Sequence, residues 1–339
     1  MLRPAEEDAG VTESPEYGRR DAAADPGEGY EHRRPTSPRR PGLRSMVERI
    51  LQQEDINFLL TNRIPRRQLT RLMGWFSRVE QPLVRDLSIA IWKFFAGDLD
   101  LHEARKERFS SLHDCFVREL KASARLVDQT PGVLVSPCDA IVGASGRIDG
   151  ATLIQAKGFD YGLDDLVADP TLGERYRDGT YVTLRLTSSM YHRFHAPDDC
   201  DVAEVHYISG DTWNVNPIAL KRVARLFCRN ERAVVPIALQ HSAESVTLVA
   251  VGAILVASIR LNFLAFPLNL QYAGPNRLAC CATFQRGDEM GYFEHGSTIV
   301  VLATSGLILA PQVREGERIR MGEPLLMAHP VVDGVRPAG

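Results

Sequence analysis

The sequence lacks most of the features that assign a function at a glance. Its six cysteines, at 115, 138, 200, 228, 280 and 281, include no Cys-x-x-Cys pair. A zinc knuckle and a dense disulfide framework are therefore not expected, and reduced thiols of a cytosolic compartment are. No apolar run reaches the roughly 20 residues of a membrane-spanning helix. The longest, Val246–Ile259, is rich in Val and Ile, contains Gly252 and reads as a buried strand. No leader peptide is legible: the first 30 residues carry three arginines, eight acids and no apolar stretch. Charge of one sign is also missing. Lys and Arg total 40 against 43 Asp and Glu, a net charge of −3, so no nucleic-acid partner is expected. There is no internal repeat, no G-x-G-x-x-G and no P-loop. What remains is ordinary globular composition, 44% apolar and 24% charged, which excludes collagen-like and coiled-coil chains.

Three regions follow from texture. Residues 1–45 hold six of the 20 prolines and blocked charge, and read as a disordered charged tail. Residues 46–125 read as helical. Helices are expected over Met46–Leu60, Arg66–Val79 and Leu83–Phe95, with Pro65 and Pro82 at the breaks. Residues 63–85 carry six arginines and one acid, with Trp75, Phe76, Trp92, Phe94 and Phe95 in or just after the stretch. Basic helices with aromatics fit either an interfacial membrane anchor or a cap packed on the core. Residues 126–339 are short β-branched runs separated by Gly, Pro, Asn and Asp. They predict a mostly antiparallel, barrel-like β domain, so the chain as a whole reads as α+β.

Three segments can carry chemistry. In Tyr191-His192-Arg193-Phe194-His195-Ala196-Pro197, two histidines stand three apart without further ligands at metal spacing, so no metal is expected. Ser136-Pro137-Cys138-Asp139-Ala140 offers a carboxylate that can orient a histidine or cap a turn. Glu294-His295-Gly296-Ser297-Thr298 precedes a buried-looking run. It is either a turn or a self-cleaving bond, in which Ser297 attacks the Gly296 carbonyl and β-elimination leaves a pyruvoyl end.

With Leu69–Trp75, Phe116–Leu120, Ser136–Asp139, Gln155–Tyr161, Tyr191–His195, Val215–Pro217, Arg229–Arg232, Gly287–Gly291 and Gly296–Thr298 in that order, the chain resembles the bacterial membrane-associated phosphatidylserine decarboxylases. The resemblance implies a proenzyme cleaved at 296/297 into a large chain (1–296) and a small chain (297–339). It implies an Asp139, His195 and Ser297 charge relay for the cleavage, with His192 near substrate. It also implies a covalent pyruvoyl cofactor made from Ser297, which forms a Schiff base with substrate; neither pyridoxal phosphate nor metal is required. Phosphatidylserine would lose CO₂ to give phosphatidylethanolamine. The enzyme would sit peripherally on the cytoplasmic face of the cell membrane, against anionic lipid, as a large–small heterodimer and a dimer of these. Against the usual family pattern, His295 replaces a leucine, Cys138 an alanine and Ala140 a glycine. Residues 313–325 resemble lipoyl-domain hairpins but carry no lysine. The alternatives are a pyruvoyl decarboxylase of a free amino acid, an uncleaved Ser-His-Asp hydrolase without its G-x-S-x-G elbow, and a non-enzymatic binding module.

Overall fold

Proline and glycine set the bounds of the best-formed helix. In the computed structural model, which describes residues 66–156, 159–254, 258–294 and 297–329, Pro82 opens helix α2 (Pro82–Ala96) at its first turn. The Gln81 side chain caps it by accepting from the Val84 N–H, and Gly97 ends it at φ +82°. Helix α1 (Arg66–Phe76) precedes it, and the short α3 (Leu112–Phe116) follows, capped by the Ser111 hydroxyl. The tail 1–45, the helix expected over Met46–Leu60, and residues His295 and Gly296 lie outside the described residues. Among the described residues, no helix is long and apolar enough to cross a membrane.

The remainder is built of short strands. In chain order they are β1 (Val133–Val135), β2 (Ala140–Arg147), β3 (Thr152–Ala156), β4 (Phe159–Gly162), β5 (Thr180–Leu186), β6 (Arg193–His195), β7 (Cys200–Ile208), β8 (Arg232–Leu239) and β9 (Ser245–Gly252). Then come β10 (Ser258–Leu261), β11 (Leu268–Asn269), β12 (Arg277–Phe284), β13 (Glu289–Phe293), β14 (Ser297–Ala303), β15 (Leu307–Leu309), β16 (Arg318–Ile319) and β17 (Pro324–Ala328). An eight-stranded sheet runs β12-β7-β8-β9-β14-β5-β2-β16, and its pairings are all antiparallel. Smaller sheets, β11-β10-β13-β6 and β1-β17-β15, accompany it.

The α+β class and the antiparallel pairing agree with the sequence reading. The barrel-like expectation does not. Closure would require β12 to pair with β16, but β16 is two residues long and bonds only to β2, so among the described residues the sheet is open. Val246–Ile259 is not one strand either. It leaves the large sheet after Gly252 and resumes as β10 in another sheet. The expected glycine turns of residues 313–325 do form, with Gly316 at φ +90° and Gly322 at φ +89°.

The middle strand of the core is β14. All seven of its residues are buried, and each pairs with β9 on one side and β5 on the other. A strand bonded on both edges and buried on both faces must be apolar at nearly every position, which Ile299-Val300-Val301-Leu302 satisfies. Its two polar residues, Ser297 and Thr298, stand at its beginning.

Candidate active site

Ser297 is fully buried, opposite Leu186 of β5 and Gly252 of β9. Its hydroxyl has no hydrogen-bond partner among the described residues. A buried hydroxyl without a partner costs about 1–3 kcal/mol, so ordinary packing avoids it. Beside it opens a cavity of about 590 Å³. Met73 and Phe76 of α1, Ile91 and Trp92 of α2, and Phe116 of α3 line the helical side of this cavity. Leu186, Ala253 and Ile254 line it from the sheet and the loop that leaves β9. The break after Gly252 thus places apolar residues around Ser297 instead of prolonging the strand.

His195 lies in β6, and its main-chain N–H donates to the Pro137 carbonyl at 2.8 Å, bringing it beside the Asp139 turn. Its Nδ1 is 2.8 Å from the Gly287 carbonyl, which can only accept, so Nδ1 carries the proton. Nε2 is then the basic nitrogen and accepts from the Tyr191 hydroxyl at 2.9 Å. Burial pulls the His195 imidazole below its ordinary value, and the Gly287 bond only partly offsets this. The ring is therefore a neutral base at neutral pH. Burial also pushes the Tyr191 hydroxyl well up, so it serves as a donor.

Asp139 is fully buried, and both its oxygens are occupied. Arg125 donates Nε to Oδ1 at 2.9 Å and Nη2 to Oδ2, and the Met321 N–H, 182 residues away, donates to Oδ1 at 2.9 Å. Arg125 also pairs with Glu103 at 2.8 Å. The aspartate is neither a local turn cap nor bonded to His195. Asp139 and His195 thus share a neighbourhood through Pro137. No hydrogen bond joins either of them to Ser297 or to the other. His192 is fully buried, bonded through Nδ1 to the Met190 carbonyl, and its ring lies 4.0 Å from that of Phe116 on the cavity wall. Cys138 is fully buried, and burial keeps its thiol protonated.

Another tie reaches the segment around Gly296. Arg78, just after α1, holds both carboxylate oxygens of Glu294 at 2.8 Å. Sequence reasoning singled out neither this pair nor Arg125. Arg78 and Glu294 stand 216 residues apart and Arg125 and Asp139 stand 14 apart, and no helical or strand spacing announces either pair.

Comparison with known proteins gives the family. The profile of the phosphatidylserine decarboxylase family matches residues 112–327. A phosphatidylserine decarboxylase proenzyme from Haemophilus influenzae is 33% identical over 275 residues, covering 77% of this chain and 92% of its own. One from Brevibacillus brevis is 32% identical over 270 residues, covering 78% and 95%. One from Desulfitobacterium hafniense is 36% identical over 244 residues, covering 72% and 76%. A profile match over most of the chain, with relatives aligned along three quarters or more of their own length, leaves one conclusion: this chain belongs to the phosphatidylserine decarboxylase family.

Proposed function

We propose that the chain cleaves itself between Gly296 and Ser297 and then converts phosphatidylserine to phosphatidylethanolamine and CO₂. One observation carries this reading: Ser297 has a buried hydroxyl with no partner among the described residues, on the wall of an apolar cavity. In self-cleavage Ser297 Oγ attacks the Gly296 carbonyl carbon, forming an ester as the amide C–N bond breaks. Loss of the Ser297 Cα proton then expels the Gly296 carboxylate, and water releases ammonia and leaves a ketone at residue 297. A base is needed for the hydroxyl. His195, neutral and with Nε2 as its basic atom, fits that role once it exchanges the Tyr191 hydroxyl for Ser297. Asp139, locked by Arg125, acts as a fixed negative charge near the imidazole rather than as its hydrogen-bond partner.

The residues around Ser297 suit a pyruvoyl group. The serine stands at the first residue of a rigid strand and faces an apolar cavity. Such a group supplies an electron sink for the pair left behind when a carboxylate departs. The cavity excludes water from the carboxylate, and loss of CO₂ removes the charge that an apolar wall disfavours. His195 returns a proton to Cα, and His192 packs its ring against Phe116 of the cavity wall.

The cavity is a lipid site with its helical wall at a membrane surface. Leu83, Leu87, Ile91 and Phe94 form one exposed stripe along α2, and Trp75 of α1 is also exposed. With the arginines of 63–85 they favour an anionic bilayer, on its cytoplasmic side. After cleavage the two chains stay together, as one unit of a dimer.

The test is an intact-mass spectrum beside Ser297→Ala, followed by CO₂ release from phosphatidylserine vesicles and from free serine. Expected are two chains split at 296/297 in the parent only, and CO₂ from the lipid. A single whole chain in the parent would overturn the reading. Release from serine alone would move the assignment to an amino-acid decarboxylase.

A further inference from the structure

Among the described residues, the cavity beside Ser297 is lined by uncharged residues with one exception, Arg185 of β5. This arginine is half-buried, while the six other residues of its strand are fully buried. It pairs in register with Thr298 on one side and Ile141 on the other, next to the Leu186–Ser297 pair. Among the described residues its side chain forms no hydrogen bond and no ion pair. Burial lowers its pKa, and no neighbouring acid raises it again. The other interior arginines contrast with it. Arg125 is held by Asp139 and Glu103, and Arg118 and Arg232 by main-chain carbonyls. A half-buried guanidinium is costly unless an anion meets it.

We infer that Arg185 is the anchor for the phosphodiester of the substrate headgroup. The inference rests on the lipid reading above and deepens it. Two anions are present in that headgroup, and the chemistry decides between them. A guanidinium held on the carboxylate would stabilise the charge that has to disappear, and would slow its loss. Held on the phosphodiester, which is unchanged in the reaction, the same contact fixes the headgroup and leaves the carboxylate to the apolar wall near Ser297. Thr187 and Ser188, which follow in the chain and line the same cavity, supply hydroxyls for the remaining phosphate oxygens. Arg185 is therefore a specificity residue. It distinguishes a serine phosphodiester from free serine.

The experiment uses the processed protein and glycerophosphoethanolamine, a probe that carries the phosphodiester without the carboxylate. Calorimetry should show binding to the parent, weakened about 10- to 100-fold by Arg185→Met, the worth of one charge-assisted contact. In mixed micelles the KM for phosphatidylserine should rise by a similar factor, with kcat within about threefold and cleavage at 296/297 intact. Arg185→Lys should recover part of the loss. Should Arg185→Met fail to accumulate, Arg185→Gln carries the same measurements. Equal binding by parent and variant, or no binding by the parent, would overturn the inference. So would a folded variant that stays whole, since Arg185 would then serve cleavage. A parent that binds the probe through Arg185 but releases no CO₂ would refute the activity and leave the anion site standing.

Discussion

Removing Arg125 tests how the buried carboxylate is held. Asp139 is fully buried and accepts two bonds from Arg125 and one from the Met321 N–H. Arg125→Met keeps much of the side-chain volume but leaves Asp139 with the amide alone, and Glu103 without its 2.8 Å partner. Breaking a buried pair from one side costs about 3–5 kcal/mol, because the remaining charge is uncompensated. For a domain of this size each kcal/mol shifts Tm by about 2–4 °C, so a fall of about 6–20 °C is expected. The assay is thermal unfolding in a Ser297→Ala background, which keeps the chain whole. Asp139→Asn on top of Arg125→Met should recover much of the loss, since the unpaired charge is then gone. A Tm for Arg125→Met within 2 °C of the parent, taking about 2 °C as the least shift that 1 kcal/mol gives, would refute this account. So would a double variant as unstable as the sum of its parts.

Three other changes read other parts of the site. Burial holds the His195 imidazole below its ordinary 6.5, so the folded chain takes this proton at a lower pH than the unfolded chain does. The associated stability is whole above 6.5 and declines as pH falls, and the acid limb of the self-cleavage profile should lie below 6.5; a limb at or above that value would count against His195 as the base. Gly287 sits at φ +87° with Val127 Cγ2 3.0 Å from where a Cβ would be, and its carbonyl fixes the His195 tautomer. Gly287→Ala should therefore cost about 1–2 kcal/mol and slow cleavage, whereas unchanged cleavage on a time-course gel would free His195 from that carbonyl. Leu87→Glu, on the exposed stripe of α2, should leave stability within about 0.5 kcal/mol while reducing flotation with anionic vesicles. Undiminished flotation would move the membrane contact elsewhere.

Local chemistry was legible in the sequence, and long-range pairing was not. Pro82 and Gly97 bound α2 as such residues do, and Ile299–Leu302 reads as buried because it is apolar at every position. Val246–Ile259 misleads for the same reason. It is nearly all apolar on both sides of Gly252, so its apolar pattern does not mark where the chain stops feeding the sheet and starts lining a cavity. Tyr181–Leu186 alternates apolar and polar residues as a strand with one solvated face would, yet Thr183 is buried. Asp139, His195 and Ser297 were all found as chemically interesting residues. What escaped was who holds them: Arg125, Tyr191 and the Gly287 carbonyl. Arg125 and the Gly287 carbonyl are brought in by tertiary packing, whereas Tyr191 stands four residues before His195.

The position of β14 has a consequence for the cut proposed at 296/297. The new chain end would be the first residue of a strand in mid-sheet, hydrogen-bonded along its whole length on both edges. Beyond it, β15 and β17 belong to a second sheet and β16 to the rim of the first. The small chain is thus woven through two sheets, and no local opening releases it. Losing it requires both ladders of the central strand to part together, which amounts to global unfolding. Severing the backbone there would therefore create two polypeptides but one cooperative body. Subunit exchange between processed molecules would be as rare as unfolding itself, and the lifetime of the enzyme would be set by a kinetic barrier rather than by an affinity.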